Sequence, residues 1–88
     1  MPVLVIDRVL CVLRRHAPPG VDPETIGPET PLTGSASPFD SLQLIQAMLA
    51  LESELGIRLR EEDVTPGTFR STTTLAAVLS ALAVRAKP

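Results

Sequence analysis

The sequence predicts an all-α fold: a four-helix bundle of three main helices and one short one, with a long first loop. Three observations predict it. Apolar residues make up 44% of the chain, yet they include only two Phe and no Trp or Tyr, so the core must be built from Leu, Val, Ile and Ala, a palette that suits packed helices. Aliphatic residues recur at helical spacing in three separate stretches. Six of the nine prolines fall between residues 17 and 38, so a tract unable to form a long helix or a central strand separates the first helical stretch from the second. With 88 residues there is room for one core, and a single domain over residues 1–88 is expected.

The first helix is predicted over residues 3–16. Val3, Ile6, Leu10 and Leu13 form its apolar stripe, Arg8, Arg14 and Arg15 fall off that stripe, and Pro18-Pro19-Gly20 ends it. Cys11 is the only cysteine, so no internal disulfide is available; in this apolar stretch it reads as a small buried hydrophobe, and a reducing cytoplasm fits. The apolar run from Val3 to Leu13 is broken by Asp7 and Arg8, follows Pro2 and has no convincing cleavage site, so it reads as neither a signal peptide nor a membrane span. The loop that follows is long for a compact domain, which favours a functional or a disordered segment. An ordered loop is expected, anchored by Val21, Ile26 and Leu32, with Asp22-Pro23 capping a single helical turn.

Residues 41–55 give the best-supported helix. No Pro or Gly interrupts a run rich in Leu, Gln, Ala and Glu; Asp40 stands at the N-cap and Gly56 at the C′ position. A short helix over residues 61–65, opened by Glu61-Glu62-Asp63, precedes Pro66-Gly67. The last helix spans residues 72–85, with caps available from Ser71 to Thr74 and a stripe of Leu75, Val78, Leu79 and Leu82. The predicted core is Ile6, Leu10, Leu13, Ala47, Met48, Leu51, Leu55, Val78, Leu79 and Leu82, with Phe69 covering one end. No internal repeat or low-complexity tract is present.

Composition also narrows function. A formal charge of −2 with scattered basic residues gives no stripe to follow a phosphate backbone, which argues against nucleic acid as a partner. Catalysis by the chain itself is poorly supported. His16 is the only histidine and reads as a solvated residue at a helix C-terminus; with one cysteine no His/Cys metal cluster can be assembled. Three adjacent carboxylates opening a short helix are explained by the helix dipole, and no Gly-rich phosphate loop occurs.

Phe39-Asp40-Ser41-Leu42 lies between the long loop and the best helix. Here the sequence resembles the acyl and peptidyl carrier proteins, which place a modified serine in an Asp-Ser-Leu motif at the start of their second helix. The resemblance continues through Leu51-Glu52, Leu55 and Ile57, the acidic short segment and the Thr-rich start of the last helix, and is strongest from Phe39 to Leu82. Phe39 departs from the Gly usual at that place in fatty-acid carriers. The resemblance implies that Ser41 takes a covalent 4′-phosphopantetheine arm from coenzyme A, that Asp40 helps present it, and that the arm holds acyl or aminoacyl groups as thioesters. It implies three kinds of partner: a phosphopantetheinyl transferase using Mg²⁺, an adenylating or acyl-transferring loading enzyme, and downstream biosynthetic enzymes. The chain itself would not be an enzyme.

The periodicity of residues 41–55 adds a second face. If Ala47, Met48, Leu51 and Leu55 point to the core, then at 100° per residue Leu42, Ile45 and Leu49 form a stripe turned away from it. That stripe, with Gln43 and Gln46, is a candidate docking surface, and the resemblance points to the same positions. Burial of both faces, or a homodimer, is the competing explanation; a monomer is expected. Gln43 and Gln46 stand where fatty-acid carriers usually have carboxylates, and Arg58 and Arg60 precede the acidic segment. This favours a discrete carrier of specialised metabolism, of the nonribosomal peptide or polyketide type, over a fatty-acid-type acyl carrier. A helical interaction module that never takes an arm is the remaining alternative.

Overall fold

The computed structural model describes residues 5–86. Three α-helices carry the fold, α1 (Val5–Arg15), α2 (Ser41–Leu55) and α3 (Thr72–Ala86), with single 3₁₀ turns at Pro23–Thr25 and Glu61–Asp63 and no strand among the described residues. α1 packs against both α2 and α3. Residues 3 and 4, assigned to the first helix from sequence, lie outside the described residues.

The short helix expected over 61–65 is only a 3₁₀ turn, and local chemistry explains why. Asp63 N–H donates to the Arg60 carbonyl and Val64 N–H to that of Glu61, which closes one turn. Val64 and Thr65 are β-branched, and Pro66 disfavours the helical region for Thr65, so the turn cannot propagate. At Pro23–Thr25, by contrast, the predicted cap is present: Asp22 Oδ1 accepts from Glu24 N–H at 2.9 Å.

The core gathers Val9, Leu10, Val12 and Leu13 from α1, Ala47 and Leu51 from α2, Leu75, Ala76 and Leu79 from α3, and Ile26, Leu32 and Phe39 from the connecting loop. Ile6, Met48, Leu55, Leu82 and Phe69 are half-buried against this cluster. Val78 lies outside it. At 100° per residue Val78 is 60° behind Leu75, at the margin of a buried face that runs through Leu75, Ala76 and Leu79. Cys11 also departs from expectation. It is exposed, because it projects from the side of α1 opposite Val9, Val12 and Leu13. No helix among the described residues is long and apolar enough to cross a membrane.

The long loop is tied down by hydrogen bonds to both neighbours. Arg14 donates from Nε and Nη2 to the Ile26 carbonyl at 3.1 and 2.9 Å. Thr73 donates from its N–H and its hydroxyl to the Pro28 carbonyl, each at 2.9 Å. Thr72 N–H reaches the Thr30 carbonyl and Leu32 N–H that of Phe69, each at 3.2 Å. Ile26 and Leu32 are buried anchors, while Val21 is half-buried. The loop thus delivers the chain to the start of α2 along a fixed path.

Candidate functional site

The start of α2 is built by two devices. Asp40, in an extended conformation, accepts from Gln43 N–H through Oδ1 at 2.8 Å, and Gln43 Oε1 accepts from Asp40 N–H at 3.2 Å. This reciprocal capping box satisfies two donors that a bare helix terminus leaves open. Phe39 and Leu44 occupy the N′ and N4 positions, those of a hydrophobic staple; Phe39 is buried in the core and Leu44 packs against it. The departure at Phe39 is therefore a core residue that anchors the chain immediately before the cap.

Ser41 follows as the first helical residue and is exposed, its hydroxyl free of hydrogen bonds among the described residues. The N–H groups of Ser41 and Leu42 point out of the helix start without an intrahelical acceptor, at the positive end of the α2 dipole. A phosphate ester on Ser41 Oγ would meet unpaired donors and favourable potential while displacing no packed group. The site therefore fits a phosphopantetheine ester.

Leu42, Ile45 and Leu49 extend from this turn along one side of α2. They fall within about 60° of helical arc and are 63%, 56% and 60% exposed. Gln46 is exposed beside them. Gln43 is not part of that face: it is half-buried and bound to Asp40. Its role was readable in advance, since Asp40-x-x-Gln43 has the spacing of a capping box.

The ionisable groups of this region are engaged within the molecule. Asp40 caps the helix, Glu52 Oε2 accepts from Leu59 N–H at 2.6 Å, and Glu54 pairs with Arg15 at 2.7 Å. Gly56 closes α2 in the left-handed region at φ +65, and Ile57 N–H bonds back to the Glu52 carbonyl. The stretch of α2 from Ser41 to Leu51 itself contains no charged residue.

Among the described residues no group of three His, Cys, Asp or Glu side chains is placed to hold a metal ion. His16 Nδ1 lies 3.0 Å from the Val12 carbonyl and finishes the last turn of α1. Asp63 accepts from Arg60 N–H at 3.2 Å and lies 3.6 Å from Arg85, while Glu61 and Glu62 are exposed. A cleft of about 350 Å³ lies near the end of α2, lined by Ile57, Leu82 and the arginines 58, 60 and 85 with Glu62 and Asp63.

Comparison with known proteins agrees with this geometry. The family described as phosphopantetheine attachment site matches residues 19–82, nearly three quarters of the chain and a span that contains all of α2. No curated protein and no solved structure matches.

Proposed function

We propose, from the premise that the chain belongs to the phosphopantetheine attachment family and so carries 4′-phosphopantetheine covalently, that Ser41 is the attachment residue. One observation carries this reading. Ser41 alone combines a preceding Asp, a following Leu and an exposed hydroxyl at the capped start of a long helix, all inside the matched span. The arm supplies a terminal thiol on which acyl groups ride as thioesters. The chain's own residues hold the attachment turn, leave the serine reachable and offer the transferase a surface, while the bond-making groups belong to partner enzymes.

In this reading residues 1–88 act as one carrier domain, monomeric and cytoplasmic, serving specialised biosynthesis of the nonribosomal peptide or polyketide type. The uncharged stretch of α2 supports that assignment, because recognition through it relies on apolar contact more than on charge steering. Leu42, Ile45 and Leu49, flanked by Gln46, are the proposed docking residues for the transferase and for the loading and downstream enzymes. Leaving three such side chains in water has a purpose if a partner buries them.

The test is incubation with a broad-specificity transferase, Mg²⁺ and coenzyme A, followed by intact mass. The wild-type chain should gain one phosphopantetheine and Ser41→Ala none. A mutant that still gains the mass, or a wild type that never does while a control carrier is modified, refutes the assignment.

A further inference from the structure

Gln43 stands where a partner contact is expected from sequence, yet the structure turns its side chain back onto the chain. We propose that Gln43 is a positioning residue for the attachment serine, holding the first turn of α2 in the conformation that presents Ser41 Oγ; this rests on the reading of Ser41 as the attachment residue.

Three observations carry it. The first is the reciprocal pair: Gln43 Oε1 accepts from Asp40 N–H at 3.2 Å while Asp40 Oδ1 accepts from Gln43 N–H at 2.8 Å, and Ser41 and Leu42 are the two residues enclosed by that ring. The second is direction. Gln43 is four residues before the buried Ala47, so the two lie about 40° apart on the helix, whereas Gln43 is about 100° from Leu42. Its half-burial is thus a property of its place, and a partner lying along Leu42, Ile45 and Leu49 would not reach its amide. The third is Phe39, buried immediately before the cap, which with Leu44 fixes the backbone on either side of the turn.

Together these features immobilise the backbone around a serine whose own side chain is unrestrained. Transfer to a hydroxyl needs that oxygen close to and aligned with the group it attacks, and small misplacements are expensive in rate. A first turn that frays presents the serine correctly for only part of the time, and the apparent efficiency falls by that fraction. Only a side chain with an acceptor at residue 43 can bond the Asp40 N–H. Gln and Glu can, and Ala cannot.

The experiment uses the full chain as wild type, Gln43→Ala and Gln43→Glu. It measures kcat/KM for phosphopantetheine transfer at saturating coenzyme A and about 0.3 M salt, which screens exposed charges, together with amide hydrogen exchange across residues 40–55. Gln43→Ala should lower kcat/KM by about two- to twelve-fold, the worth of one hydrogen bond. Exchange of the bonded Asp40, Gln43 and Leu44 amides should quicken by a similar factor, with Leu51 to Leu55 unchanged. Gln43→Glu should restore both quantities, and Gln46→Ala should leave the exchange of Asp40, Gln43 and Leu44 untouched. A Gln43→Ala chain identical to wild type in rate and exchange overturns the proposal. So does a rank order with Gln43→Glu below Gln43→Ala, which is what direct contact with an apolar partner surface would give. A wild-type chain that takes no arm overturns the attachment reading and the positioning role with it, whereas a failure confined to the Gln43 variants overturns the positioning role alone.

Discussion

Leu49 and Leu51 are two residues apart on α2, yet one is 60% exposed and the other fully buried, so Leu49→Arg is a clean probe of the outer face. In the free protein the substitution removes little packing, and Arg is a good helix former, so stability should stay within about 0.5 kcal/mol of wild type. The docked state is different. Full burial of a Leu side chain is worth about 1.5–3 kcal/mol, and with 60% of it still exposed a partner that covers Leu49 gains about 1–2 kcal/mol. Losing that contribution corresponds to about a 5- to 30-fold fall in kcat/KM for modification, before any penalty for pressing a guanidinium against an apolar patch. The assay follows phosphopantetheine transfer by intact mass at saturating coenzyme A, with thermal melts on the same samples. A melt several degrees below wild type would show that Leu49 belongs to the core, and an unchanged kcat/KM with an unchanged melt would show that the transferase does not touch this face.

Leu51→Ala should act in the opposite way, destabilising by about 2–5 kcal/mol in denaturant titration because a fully buried Leu leaves a cavity in the core; a wild-type midpoint would contradict its burial. Thr72 is buried, and its Oγ1 has no hydrogen-bond partner among the described residues. Thr72→Val should therefore be stabilising, by about 1 kcal/mol, which raises the melting temperature by about 4–8 °C in a domain of this size. A lower melting temperature would mean that the hydroxyl is satisfied by an internal water. Ser41→Ala should melt within about 0.5 kcal/mol of wild type, since the exposed hydroxyl makes no internal contact; a larger loss would point to a structural role for it.

What was legible in the sequence was local. α2 stood out because fifteen uninterrupted residues lie between a side chain that caps and a glycine that can adopt φ > 0. The exposure of Leu42, Ile45 and Leu49 followed from the same periodicity once Ala47 and Leu51 were turned inward. What was not legible depends on partners distant in sequence. A stripe counted from Val3 omits Val9 and Val12, which are buried because both α2 and α3 pack on α1 and widen its covered arc. The bonds from Arg14 to the Ile26 carbonyl and from Thr73 to that of Pro28 leave no periodic trace, so the sequence shows an anchored loop without its fastenings. Gln43 and Gln46 both follow closely on Ser41 in sequence, yet only Gln46 lies toward the outer face.

The fastening of the long loop also orders events in time. Its acceptors at Pro28 and Thr30 are met by Thr72 and Thr73, and Leu32 N–H by Phe69, partners some 40 residues further along the chain. During synthesis the segment leading to α2 has only its own short-range turns and its bonds to Arg14 to shape it until the start of α3 has been made. Phe39, which seats the turn at Ser41, lies in the same core as Leu75 and Leu79 and gains its full cover only then. The serine thus takes its settled position late, and a truncated chain ending before α3 should be a poor substrate for the transferase even though it contains the whole of α2.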